Sequence, residues 1–168
     1  MTNPLQRSIR AMSRGFRKPA THVLEGGHLD RARYDALWDE RFTHRPQEVR
    51  VYLNVHRERY FELFNALAHL LRGREDGAQV LEVGVSEYLS FYKGLFPAVR
   101  LTSLDRPLTL SGVDPELART MGADRHYNVD LNQRGLSPDL GEPPLGRFDL
   151  VVCSEVIEHL VVNPVEFL

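Results

Sequence analysis

Apolar positions in this chain fall into two rhythms, one helical and one of short runs, and the change between them comes near residue 75. Arg31 to Phe42 is charged and punctuated by Tyr34, Leu37, Trp38 and Phe42, which predicts a short amphipathic helix. The preceding stretch, Pro19 to Asp30, holds Gly26 and Gly27 and reads as a loop. A longer helix is predicted from Pro46 to Leu71. Val49, Leu53, His56, Tyr60, Phe64, Leu67 and Leu71 recur at helical spacing, with Tyr52, Leu63 and Leu70 beside them. Pro46 suits a first turn, Glu48 lies near the positive end of the dipole, and Gly73 supplies the stop.

Beyond Gly73 short apolar runs alternate with helical or turn segments. Ala78 to Val83 (AQVLEV) predicts a first strand, followed by a helix over Leu89 to Phe96 that Pro97 ends. Val99 to Leu104 predicts a second strand, and Pro115 to Met121 a short helix capped by Asp114. Tyr127 to Leu131 predicts a brief third strand and Phe148 to Cys153 (FDLVVC) a fourth. Strands alternating with helices imply parallel pairing through crossovers, and the run LVVC suits a strand covered on both faces. The expected class is α/β. It is an open, mainly parallel, Rossmann-like sheet with helices on both faces, preceded by a helical extension.

Composition changes this picture little. The chain has 168 residues, 42% of them apolar and 26% charged, as in an ordinary globular chain with a real core. The formal charge of −2 points neither to nucleic acid nor to an anionic surface as a partner. No apolar run reaches the length of a bilayer span. One cysteine, Cys153, excludes an internal disulfide framework and a cysteine metal cluster, and fits a reducing cytoplasm. The first residues are basic, with Arg7, Arg10, Arg14, Arg17 and Lys18 and no acid before Glu25. They read as a poorly ordered tail, with an organelle transit segment as the alternative. Three regions result: residues 1–30, the basic segment; 31–75, a helical extension; and 76–168, the α/β domain.

In open parallel sheets ligands bind beyond the carboxyl ends of the strands. Here each strand end carries an acid: Glu82 in EVGVSEY, Asp105 in DRP, Asp130 in DLN and Glu155 in SEVIEHL. Such a ring repels a phosphate, and no Lys-rich or Gly-rich cradle offsets it. It suits a ligand with hydroxyls, an amine and positive charge. S-adenosyl-L-methionine has all three.

At these residues the chain resembles class I S-adenosylmethionine-dependent methyltransferases, in the branch of the ubiquinone-type enzymes. VLEVGVSEY is similar to their first motif, SLDRP to the acidic end of their second strand, NVDLN to the segment bordering adenine, and FDLVVCSEVIEHL to their fourth strand and its loop. The resemblance covers roughly 78–168. It implies that Glu82 and Gly84 border the methionine part of the cofactor, with Ser86 a cofactor-binding residue small enough for close approach. It implies that Asp105 accepts from the ribose hydroxyls and that Arg106 flanks adenine. Asp130 would accept from the adenine amine, with the Leu131 amide facing the ring. Cys153, Ser154 and Glu155 would line the place where donor meets acceptor. The chain departs from the pattern at Ser86 and Tyr88, where the family carries further glycines; Tyr88 must turn away or cover the cofactor.

Each assignment has a structural rival. Asp105 before Arg106-Pro107 is also a turn residue, Asp130 also a cap, and Cys153 also a small buried hydrophobe. Glu155, Glu158 and His159 share one face of a helix if the segment is helical. His159 and Glu155 are the candidate catalytic pair, His159 as a general base. A divalent metal and a purely structural role are the alternatives, and no metal is assigned. Tyr34, Trp38, Tyr52 and Tyr60 of the extension are candidates for a lid over a small-molecule methyl acceptor.

Asn163, Pro164 and Glu166 spell a helix start within about one turn of the last position. The expectation is a fragment whose remaining strands lie in a missing C-terminal half or come from a completing chain, with LVVC as an open edge. Two other classes fit less of the sequence. A nicotinamide dehydrogenase lacks its GxGxxG here. A non-catalytic, degenerate methyltransferase fold used for interaction accounts for Ser86 and Tyr88.

Overall fold

The computed structural model describes residues 24–25, 28–106, 112–132, 146–154 and 156. The basic segment before Leu24, the DLN-to-FDL connection over 133–145, Glu155, and the Glu158-His159 and Asn163-Pro164 motifs lie outside the described residues.

Two helices precede the sheet. α1 (Arg31–Phe42) starts at Asp30, whose carboxylate accepts from the amides of Ala32 and Arg33 at 2.8 and 3.2 Å. It buries Tyr34, Trp38 and Phe42. α2 (Gln47–Leu71) follows Pro46, which sits at the cap position just before the helix. It ends at Arg72, before Gly73 at φ +71°. Both spans agree with the apolar periodicity. The loop expected before α1 instead pairs as a small antiparallel ladder, β1 (Leu24–Glu25) with β2 (His28–Leu29). Gly26-Gly27 between them is a hairpin signal, and strands of two residues are too short to show alternation. The Leu29 amide donates to Asn65 Oδ1 at 3.0 Å, fastening this hairpin to α2.

The rest is a mixed α/β unit. β3 (Gln79–Val83), α3 (Leu89–Leu95), β4 (Arg100–Asp105), α4 (Pro115–Thr120), β5 (Arg125–Asn128) and β6 (Leu150–Cys153) follow in order. The four strands form one all-parallel sheet in the order β5-β4-β3-β6, so the direction of build-up reverses beside β3. Asp114 caps α4 as expected, accepting from Glu116 and Leu117 amides at 2.7 and 3.3 Å. The third strand starts two residues earlier than its apolar letters suggest and stops at Asn128. Among the described residues it is an edge strand, polar and half-exposed, and His126 rather than an apolar side chain anchors it. His126 Nδ1 lies 2.9 Å from Ser103 Oγ, and Nε2 lies 3.1 Å from the Val113 carbonyl.

The two sheet faces differ. Val80, Leu101 and Val152 face a large core shared with α1, α2, α3 and α4, in which Tyr34, Trp38, Phe64 and Phe91 are the bulkiest members. Edge-to-face and stacked ring contacts at 4.8 to 5.7 Å join Trp38, Phe42, Phe64 and Phe91 across three helices. The N-terminal helices and the sheet therefore bury one continuous core. Leu81, Val83 and Leu104 face a smaller cluster with Val129, Leu131, Phe148 and Cys153. Among the described residues all four helices bury into the first core, so the helices expected on the second face are not among them. β6 also departs from a strand covered on both faces: Val152 is buried, but Val151 is 57% exposed. Among the described residues β6 pairs with β3 alone.

Candidate functional site

The carboxyl ends of the strands open into a cavity of about 840 Å³, beside the point where the strand order reverses. Its floor is the turn after β3. Gly84 takes φ +84°, and its amide donates to the Leu104 carbonyl at 2.8 Å. A Cβ there would lie 2.3 Å from Val156 Cγ2, so glycine is required both by conformation and by room. Ser86 and Tyr88 complete the turn, Ser86 Oγ lying 3.4 Å from the Tyr88 amide. Tyr88 is buried and stacks on Tyr60 of α2, so it turns into the helical extension while one side of it still lines the cavity.

Glu87 in the same turn is buried against Arg45, Nη2 to Oε2 at 2.7 Å. Arg45 stands in the α1–α2 connection. A buried ion pair thus joins the extension to the loop on which the cavity is built.

Three of the four expected carboxyl groups meet in the cavity: Glu82, Asp105 and Asp130. Glu82, in β3, is 6% exposed and accepts a hydrogen bond from the Tyr92 hydroxyl of α3. Burial pushes its pKa up to about 8, and the Tyr92 hydrogen bond opposes the rise. Burial also raises the Tyr92 phenol, with the neighbouring carboxyl adding to the rise. Asp105 closes β4 and accepts from the Val113 amide at 2.9 Å. Burial raises its pKa, and the Val113 and Arg106 amides and the Arg106 charge pull it back. Asp130, two residues past β5, accepts from the Asn132 amide at 3.0 Å in a turn of its own.

Gly84, Ser86, Arg106, Leu131 and Ser154 also line the cavity. Cys153 does not. Its side chain packs in the smaller apolar cluster with Leu81, Val83 and Leu104, and Ser154 after it lines the cavity. Glu155 and His159 lie outside the described residues. Among the described residues no group of three or more His, Cys, Asp or Glu side chains is arranged to hold a metal ion.

Tyr52 and Tyr60 of the extension reach the cavity; Tyr34 and Trp38 are core. Val85, Val129 and Asn132 of the quoted motifs line it as well, and so do Tyr92, Leu63 and Phe64, which lie in no motif. Tyr92 lies ten residues after Glu82 on the helix that returns across β3, a spacing without local periodicity to betray it. Leu63 and Phe64 read in the sequence only as helix core.

The arrangement is a half-open pocket with hydrogen-bond acceptors along the strand ends and rings along α2. It can hold a ligand that donates several hydrogen bonds and carries positive charge, and it offers anions little. The chain matches no family model, no curated protein and no solved structure. No helix among the described residues is long and apolar enough to cross a membrane.

Proposed function

We propose that this chain carries the cofactor site of an S-adenosylmethionine-dependent methyltransferase with a Rossmann-like sheet, acting on a small-molecule acceptor. The observation that supports it most is the convergence of Glu82, Asp105 and Asp130 from three strands on one cavity, beside a glycine turn at Gly84. A carboxyl set of that kind fits a ligand with a ribose diol, an aromatic amine and cationic groups. The volume of about 840 Å³ leaves room for an acceptor as well.

Within this reading, Asp105 accepts from the ribose hydroxyls, and its bond to the Val113 amide holds the carboxylate in one orientation. Asp130 accepts from the adenine amine, Arg106 and Leu131 flank the ring, and Glu82 meets the cationic methionine end. Gly84 and Ser86 keep the loop low enough for close approach. When bound, the cofactor supplies an electrophilic methyl group on a sulfonium. The chain's part is to hold donor and acceptor in line and to keep water out. Tyr52, Tyr60 and Tyr88 form the wall nearest the acceptor. The resemblance gives Ser154 and Glu155 to the meeting point of donor and acceptor, and His159 would be the base for an acceptor that starts protonated. The weak net charge favours no nucleic-acid acceptor. A cytoplasmic location goes with the lone cysteine.

A second reading is supported by Tyr88, which takes the place of a glycine and occupies cavity wall: a fold of this type kept for interaction, without catalysis. Calorimetric titration of S-adenosylhomocysteine into the natural full-length protein separates the readings. Micromolar binding, lost in Asp105→Ala, supports the cofactor site. No binding by a folded protein removes the enzyme reading. Binding without methyl transfer to any acceptor leaves the interaction module.

A further inference from the structure

Of the three cavity carboxyl groups, Glu82 has the most unusual surroundings. Asp105 and Asp130 each accept a backbone amide and stand half exposed. Glu82 is buried within β3, between Ser103 of β4 and Val152 of β6 in the register of the sheet. Its hydrogen-bond partner is a phenol, and no described cation forms an ion pair with it. Arg45, the buried cation of this region, is committed to Glu87. An ionised carboxylate desolvated to this degree, with no counter-charge, is strongly disfavoured. Yet Glu82 lines the cavity, so a ligand can supply the charge it lacks.

We propose that Glu82 and Tyr92 form a proton-releasing cation subsite, in which the carboxyl group is neutral in the free protein and ionises when a positively charged ligand group enters the cavity. This rests on the cofactor reading above and names how that site selects its ligand. The O–H bond of the Glu82 acid breaks, its proton leaves to solvent, and the resulting carboxylate pairs with the ligand's ammonium or sulfonium group. Tyr92 donates to Oε2 throughout and keeps the carboxyl group aimed, which makes it a positioning residue. Nucleosides without positive charge gain nothing from the exchange, so the pair discriminates an amino-acid-bearing nucleoside from a plain one.

The other groups around the cavity do not substitute for a ligand cation. Tyr52, Tyr60 and Tyr88 face it from α2 and the β3 loop, Asp105 and Arg106 from β4, and Asp130 from beyond β5. Of these none sets the titration of Glu82: burial is its leading cause and the Tyr92 hydrogen bond the counterweight. His126, one strand beyond Ser103, has its pKa lowered by burial and is neutral at pH 7. With a Glu82 pKa of about 8, roughly nine-tenths of the carboxyl groups are protonated at pH 7.

The test is calorimetric titration of the full-length protein with S-adenosylhomocysteine, and separately with adenosine, in two buffers of different ionisation enthalpy at pH 7. S-adenosylhomocysteine carries an ammonium group, and its binding is expected to release about one proton per site, with affinity rising up to about tenfold per pH unit between pH 6 and 8. Adenosine is expected to release none. In Glu82→Gln the amino-acid ligand still binds, more weakly, with no proton released and no slope in pH. In Tyr92→Phe release at pH 7 persists, but the rise in affinity moves to higher pH because the bond that lowers the Glu82 pKa is gone. Binding of S-adenosylhomocysteine with no buffer-dependent heat overturns the subsite and leaves the cofactor reading standing. Absence of binding by a folded protein overturns both.

Discussion

At the scale of single residues, Gly84 shows how narrowly the turn after β3 is constrained. Two independent costs meet in Gly84→Ala: a left-handed conformation, φ +84°, and a Cβ 2.3 Å from Val156 Cγ2. The first is worth about 1–2 kcal/mol for an L-residue. The second cannot be relieved by a long flexible tip, since Val156 is short and β-branched. Denaturant unfolding of Gly84→Ala is therefore expected to show a loss of about 2–4 kcal/mol, more than the glycine preference alone. It should also weaken S-adenosylhomocysteine, because the displaced loop carries Val85 and Ser86. A loss below 1 kcal/mol would mean that the Gly84 backbone and Val156 shift apart freely. The motif letters marked Gly84 in the sequence, but only the fold supplies Val156 as the neighbour that enforces it.

At the scale of elements, the Arg45–Glu87 pair couples the α1–α2 connection to the cavity loop across 42 residues of sequence. Both side chains are nearly shut off from water, at 6% and 9% exposure. Removing one partner strands a buried charge, at a cost of about 3–5 kcal/mol. Arg45→Met is thus expected to unfold the protein far more easily. Adding Glu87→Leu to it should recover most of the stability, because two apolar groups replace a desolvated pair. A double-mutant cycle in urea checks this: a loss in the double variant equal to the sum of the Arg45→Met and Glu87→Leu losses would show that the pair is not coupled. The double variant should still bind ligand less tightly, since the loop loses its anchor to the extension.

Legibility from sequence follows the range of the interaction. The spans of α1, α2, α3 and α4 are readable within a residue or two, because helical periodicity and the Asp114 cap are local signals. AQVLEV and LVVC were readable for the same reason. β5 was misplaced by two residues, since an edge strand built on Arg125 and His126 owes its position to Ser103 and Val113, more than ten residues away. The hairpin at Leu24 and Leu29 carries no strand signal in the sequence, because its strands are too short to alternate. At the cavity the motif residues Glu82, Gly84, Asp105 and Asp130 were legible, whereas Tyr92 and the Arg45–Glu87 pair depend on how helices return over the sheet. The resemblance implies a place for Cys153 in the site beside Ser154, whereas its side chain packs in the smaller apolar cluster.

For the whole molecule, the same buried acid that would select a cation also shapes stability against pH. Glu82 has a folded pKa of about 8, against 4.5 for an ordinary glutamate. Between those values the folded state holds a proton that the unfolded chain has released, so stability is greatest at the acid end of the window and falls as pH rises toward 8. Asp105, also raised by burial, adds to the fall from lower pH. His126 acts in the opposite sense below 6.5, where the unfolded chain takes up a proton that the buried imidazole resists. The melting temperature of the wild-type protein is expected to decline between about pH 6.5 and 8.5. Glu82→Gln, which carries no ionisable group there, should decline much less and overtake the wild type at the alkaline end, by on the order of a few kcal/mol in stability. Thermal melts of both proteins across this range check the sign as well as the size: parallel curves would place the titrating group elsewhere. Saturating S-adenosylhomocysteine adds a sharper condition. A bound cation pairs with the carboxylate and lowers its pKa, so the ligand should stabilise the wild type most at pH 8 and least at pH 6. In Glu82→Gln that gain should be nearly constant with pH, since the uncharged amide has no proton to exchange when the ligand arrives.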